Sequence, residues 1–131
     1  MAPTDVERFH DLLRQWQEQR RLPPEALTDD VEWVNPPDSV ETGTRRGPDA
    51  FNEGIASVYE GWADSRFVPE QVVARGGEVV ALGVLRVRGR AVGVDVQREH
   101  GQVWTFRDGR LARMRWFNSH RETLAAAGLT E

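Results

Sequence analysis

The stretch Val103-Trp104-Thr105-Phe106-Arg107-Asp108-Gly109-Arg110-Leu111-Ala112-Arg113-Met114-Arg115-Trp116 decides the fold. Two extended, apolar-rich runs flank Asp108-Gly109, a dipeptide suited to a tight hairpin turn, so the runs are expected to pair antiparallel. Alternation puts Trp104 and Phe106 on one face, and with Met114 and Trp116 beside them Arg113 and Arg115 turn away. The same count brings His100 and Gln102 to the face of Trp104, unless a bulge at Gly101 shifts them. Working backwards, 66–75, 78–88 and 91–107 are also extended, separated by Gly76-Gly77 and Gly89-Arg90. With 110–118 they form an antiparallel meander.

Upstream the period changes. Val6, Phe9, Leu13 and Trp16 step by three, four and three, which stacks them on one helical face. Thr4 and Glu7 have the spacing of a capping box at its start. Pro23-Pro24 ends this helix and opens a short second one over 24–28, followed by a strand over 31–35. From Pro36-Pro37 to Gly47 there is no periodicity, which predicts a loop of about ten residues against the usual ~4–6, the length of loop that lines sites. Gly47-Pro48-Asp49 then opens a helix whose apolar stripe is Phe51, Ile55, Val58 and Trp62. Ser119 and Glu122 repeat the capping-box spacing before a short closing helix over 124–127, ended by Gly128. The order predicts an α+β fold: helices gathered on one face of a curved antiparallel sheet, curling into a cone whose other face is wetted or pairs with a second subunit.

Size and composition narrow the function. A chain of 131 residues suits one domain, read as 1–131. With no cysteine there is no thiolate nucleophile and no Cys-ligated metal. All 17 basic residues are arginine, which excludes a Schiff-base lysine and the lysine of a P-loop. A net charge of −4 argues against a general nucleic-acid binder. No run reaches the ~20 apolar residues of a membrane span, and Pro3, Asp5 and Glu7 do not form a secretory leader, so a cytoplasmic protein without membrane contact is expected. No His-Glu-x-x-His or related spacing is present, so no metal and no cofactor are expected.

Three segments carry a family resemblance: 27–36 (LTDDVEWVNP), 44–51 (TRRGPDAF) and 103–111 (VWTFRDGRL), with the Ala-rich end. In order and spacing the chain resembles the SnoaL-like proteins of the nuclear-transport-factor-2-like superfamily, relatives of ketosteroid isomerases, polyketide cyclases and limonene epoxide hydrolases. The resemblance implies a cone-shaped, cystatin-like roll with a pocket between the helices and the open end of the sheet, and a homodimer formed through the outward sheet face. In isomerase-like members a carboxylate just before the proline of the first strand is the base. Here that position is Asn35, and an amide cannot take the proton. The neutral acid of those members falls at about Trp104, an indole N–H donor at best, and their phenol donor falls near Leu13 or Trp16. Hydrolase-like and cyclase-like members need acids near the ligand, for which Asp38, Glu41 and His100 are the candidates.

Each candidate also has a plainer explanation. Asn35 either bonds a ligand or braces the Pro36-Pro37 turn, and Asp38 is either a base or a solvated turn residue. His100 is either a base or an exposed strand histidine. The five tryptophans either fill the core or wall a cavity for an apolar ring. Arg86, Arg88 and Arg90 share a face and read as a solvated or subunit-facing row. The expected ligand-binding set is Trp16, Asn35, Trp62, Gln102, Trp104, Phe106, Met114, Trp116 and Asn118, with Asn35, Gln102 and Asn118 as the orienting polar groups. The expected partner is a small hydrophobic, cyclic molecule. One alternative is an acid–base isomerase, cyclase or hydrolase acting on a polyketide- or steroid-like substrate. A more distant one is a protein-interaction module marked by an uncovered apolar patch.

Overall fold

The computed structural model describes residues 3–91 and 93–129. Among them the order is α1 (Asp5–Gln19), a single 3-10 turn (Pro24–Ala26), β1 (Leu27–Val34), β2 (Thr44–Arg46), α2 (Pro48–Val58), β3 (Trp62–Arg75), β4 (Glu78–Gly89), β5 (Asp95–Arg107), β6 (Arg110–Phe117) and α3 (His120–Ala126). The first helix starts as its sequence predicts. Glu7 N–H donates to Thr4 Oγ1 at 3.1 Å, and Thr4 N–H donates to Glu7 Oε1 at 3.0 Å. Its buried face is Phe9, Leu12, Leu13 and Trp16.

Several boundaries differ from the sequence reading. The predicted short helix at 24–28 is a 3-10 turn, and β1 begins earlier, at Leu27. The long loop contains a short strand, β2, paired with β1 and held by an Arg46–Glu32 contact of 2.6 Å. Trp62 opens β3 instead of closing α2, because the chain turns at Gly61 with φ +78°. The β4–β5 connection is longer than a two-residue hairpin: Gly89 N–H reaches Val94 O at 2.5 Å, and Val92, placed in a strand by the sequence reading, lies outside the described residues. The last helix starts at His120, where Ser119 Oγ accepts from Glu122 N–H at 3.1 Å.

The sheet order is β2-β1-β6-β5-β4-β3. The meander from β3 to β6 is antiparallel as predicted, but β1 pairs parallel with β6, with Trp33 opposite Met114. The sheet is therefore mixed. Parallel neighbours need a long crossover, and here α2 and four strands, β2 to β5, supply it. A register shift between Pro69 and Gln71 bends β3 where it crosses Gly83. A Cβ on Gly83 would stand 2.0 Å from Val68 O, so glycine lets the two strands approach at the bend.

On the concave face, α1 and α2 bury Phe9, Leu13, Trp16, Phe51 and Ile55 against Trp33, Trp104 and Met114. Phe9 meets Trp104 edge-on, with centroids 4.7 Å apart. The expectation that every helix lies on one face fails for α3. Gly101 faces away from its inward neighbours His100 and Gln102, and a Cβ on it would stand 2.0 Å from Thr123 Oγ1. So α3 packs on the convex face, over the side-chain gap that Gly101 leaves. Only Asn118 and Ser119 separate α3 from β6, too few residues to carry it around the sheet edge.

Candidate functional site

Between the concave sheet and the C-terminal halves of α1 and α2 lies a cavity of about 500 Å³. It falls within the usual ~300–1,000 Å³ of small-molecule sites. Trp16 comes from α1, Trp33 and Asn35 from the end of β1, Val58 and Tyr59 from the end of α2, and Phe67 and Leu85 from β3 and β4. Every second residue of β5 from Val96 to Gln102 reaches it, and Met114, Trp116 and Asn118 complete the wall. The loop after Asn35 closes one side with Asp38, Ser39, Val40 and Glu41.

Of the nine residues expected at a ligand, seven line this cavity: Trp16, Asn35, Trp62, Gln102, Met114, Trp116 and Asn118. Trp104 and Phe106 do not. Trp104 is fully buried under Phe9 and Trp16, and Phe106 packs beside it, 6.2 Å away. Alternation gave their face correctly, but α1 covers that end of the face and fills it. The sequence reading missed Trp33, Tyr59, Phe67, Leu85 and Arg98 as lining. Carrying the alternation of β5 across the antiparallel register would have found Arg98, Leu85 and Phe67, since Arg98 opposes Leu85 and Leu85 opposes Phe67.

Two hydrogen-bonded chains organise the polar part. In the first, Asn35 Oδ1 accepts from the indole N–H groups of Trp33 and Trp116, each at 2.8 Å. Its Nδ2 donates to Glu41 Oε2 at 2.7 Å and to Gly43 O at 3.3 Å. A primary amide has two acceptor and two donor positions, and all four are filled. Asn35 therefore has no bond left to orient a ligand. It fixes two indoles of the wall and ties them to the loop. Glu41 is gripped in turn by Arg45, from Nε at 2.9 Å and Nη2 at 2.5 Å. These Arg45 bonds, then that from Asn35, hold its carboxyl below the usual range, so it stays an occupied carboxylate.

In the second chain Trp104 Nε1 donates to Gln102 Oε1 at 2.8 Å, and Gln102 Nε2 lies 3.1 Å from His100 Nε2. His100 is buried, stacked on Trp116 at 5.8 Å and edge-on to Phe67 at 5.0 Å. Burial foremost, then the charge of Arg98 and the proximity of His120, pushes its pKa down to about 3. The ring is neutral at any physiological pH. Three buried polar atoms on lining residues have no partner among the described residues: Tyr59 Oη, His100 Nδ1 and Asn118 Oδ1.

This arrangement can hold a flat apolar molecule between indoles and offer it a few fixed polar contacts. Among the described residues no carboxylate bonds to His100, whose one side-chain partner is Gln102. Asp38, the other acid candidate, sits exposed on the loop at the mouth.

The same architecture recurs in solved structures. An NTF2-like protein of unknown function from Burkholderia pseudomallei is 24% identical, with 95% of this chain and 97% of that chain covered and a TM-score of 0.75. TerC, co-crystallised with polyporic acid, is also 24% identical, covering 95% of each chain with a TM-score of 0.71. A proposed SnoaL-like polyketide cyclase from Jannaschia is 19% identical over 98% of this chain and 96% of that one, with a TM-score of 0.68. Identities this low establish a shared fold and no shared chemistry. A search of curated proteins found no match. The family model of the SnoaL-like domain matches residues 6–114, and the chain belongs to that family.

Proposed function

We propose that this protein binds a flat, apolar, ring-bearing small molecule in the tryptophan-walled cavity and does so without general-base catalysis. The supporting observation is the state of three groups a base could be drawn from, the fourth candidate, Asp38, standing exposed on the loop at the mouth. Asn35 is an amide with every bond used, Glu41 is held by Arg45 and Asn35, and His100 has its pKa pushed down to about 3. A base with so low a pKa has little drive to take a proton from carbon at neutral pH. Four indoles and Phe67 meanwhile supply stacking surface on several sides of the space.

The polyporic acid found with TerC makes that compound a sensible first probe, alongside a neutral aromatic such as 2-ethylnaphthalene. Titration followed by tryptophan fluorescence should give saturable quenching, with the probe recovered unchanged after incubation. Trp62 lines the cavity and is half-buried, so Trp62→Ala should weaken binding roughly tenfold while leaving the fold intact. Absence of quenching by any ring compound would overturn the binding reading. Conversion of a probe to an isomer, cyclised or hydrated product would favour the acid–base alternative, with Asp38 the first residue to replace.

A further inference from the structure

Past the deep part of the cavity the sheet narrows. Strand β6 pairs with β5 only from Gly101 to Arg107, so among the described residues the outer part of β5, from His100 back to Asp95, has β4 alone beside it, and β4 has β3. Alternation keeps Leu85, Val87 and Gly89 on the concave face of this three-stranded extension, and Val96 stands opposite Val87. Gly89 leaves a gap there that Val94 fills. A Cβ on Gly89 would stand 2.8 Å from Val94 Cβ and Cγ1, so the Val94 side chain lies on the same face as Val87. Trp62 pairs with Gly89 from β3 and lines the cavity. The result is an apolar strip, Leu85, Val87, Val96 and Val94 beside Trp62, that starts in the cavity wall and runs out of it.

The outer end of the strip is uncovered: Val96 is 46% exposed and Val94 45%. At the same mouth Val40 of the loop is fully exposed. Three of the four large apolar side chains exposed among the described residues therefore gather at one opening, whereas scattered ones would need no explanation.

We propose that this strip carries a hydrocarbon chain of the ligand out of the cavity, so that the bound molecule is a ring system with an aliphatic substituent of several carbons. The strip is continuous with the cavity and two side chains wide, which suits a chain. A folded partner fits poorly, because three valines and one indole offer far less than the roughly 800 Å² per partner of a stable protein interface. Arg98, between Val96 and His100, is exposed, and side chains of this kind cover apolar surface with their methylene stems. Each methylene of the ligand laid on the strip leaves water on one side, which is the source of the gain.

The proposal rests on the reading that the cavity takes an apolar ring molecule, and its test separates the two. 2-Ethylnaphthalene, 2-butylnaphthalene and 2-hexylnaphthalene share the ring and differ in chain length. Affinity from tryptophan quenching should rise about twofold per added methylene, less than full burial would give because one side of the chain stays wet. Val94→Asp, outside the cavity lining, should remove most of that rise while keeping 2-ethylnaphthalene within about twofold. In the unaltered protein the methyl resonances of Val94 and Val96 should move more with the hexyl probe than with the ethyl one, a readout that stands even if the variant fails to fold. Equal affinity along the series, a rise that Val94→Asp leaves intact, or methyl shifts that follow protein concentration without any probe, as a second copy on the strip would cause, overturns the role of the strip and leaves the cavity reading standing. Failure of all three probes to bind overturns both.

Discussion

Asn35 uses one oxygen to hold two indoles and one nitrogen to hold Glu41 and Gly43, which explains why an amide and not a carboxylate serves here. Asn35→Asp would keep the acceptor for the indoles and place a second carboxylate oxygen where Nδ2 now sits, 2.7 Å from Glu41. The variant is expected to lose roughly 1–3 kcal/mol in urea unfolding at pH 7. Part of the loss should return as the pH is lowered and one of the two carboxylates is protonated. Undiminished stability at pH 7 would show that the amide–Glu41 bond does not hold in solution. His100 makes a separate prediction. Its folded pKa of about 3 lies below the unfolded value of 6.5, so the unfolded chain binds the proton between those limits and the folded one does not. The stability of the native state is therefore full above pH 6.5 and falls by about 1.4 kcal/mol per pH unit below it. Carboxylates with lowered pKa, such as Glu7 and Glu41, lose their contribution only further down in pH, which separates their effect from that of His100 between pH 6.5 and 5. Over that range the slope should flatten in His100→Phe. Urea midpoints at pH 7, 6 and 5 check this, and identical slopes in the two proteins would reject it.

At the scale of elements, the convex face depends on Gly101. Thr123 of α3 occupies the space a side chain would need, so Gly101→Ala must push α3 away or bend β5. The expected cost is about 1–3 kcal/mol. Amide exchange should speed up across His120–Ala126 and remain slow in β4 and β5, and an unchanged α3 would contradict the packing. The elements that were legible in sequence are those whose signal is local. The Thr4 capping box, the Asp108-Gly109 hairpin and the alternation that turns His100 and Gln102 inward all depend on residues within a few positions of one another. Asp108 and Gly109 do take positive φ, 53° and 77°. The β2 strand, the parallel β1–β6 pair and the placement of α3 were not legible, because each depends on a partner far away in the chain. Arg46 meets Glu32, Trp33 lies opposite Met114, and Thr123 covers Gly101.

For the whole molecule, we propose the homodimer that the family resemblance implies, formed through the part of the convex face that α3 leaves open. Val73 is half-exposed there, across from Val80 on β4, and Asp64, Arg66, Arg86 and Arg88 form a charged margin further along the same two strands. Sedimentation at two protein concentrations should show a dimer, and a monomer at the higher one would reject it. Ligand binding should raise the unfolding temperature with ligand concentration, as any molecule that binds only the folded state must. What the sequence by itself determined is the class of fold, the inward face of β5 and the aromatic character of what gathers there. Periodicity and turn chemistry are short-range and survive without coordinates. Only the tertiary structure decided which inward residues face space and which are packed. Trp104 and Trp116 share a face, yet α1 buries the first and leaves the second on the cavity. It also decided that Asn35 is saturated, since hydrogen-bond capacity is used up by partners that only folding brings together.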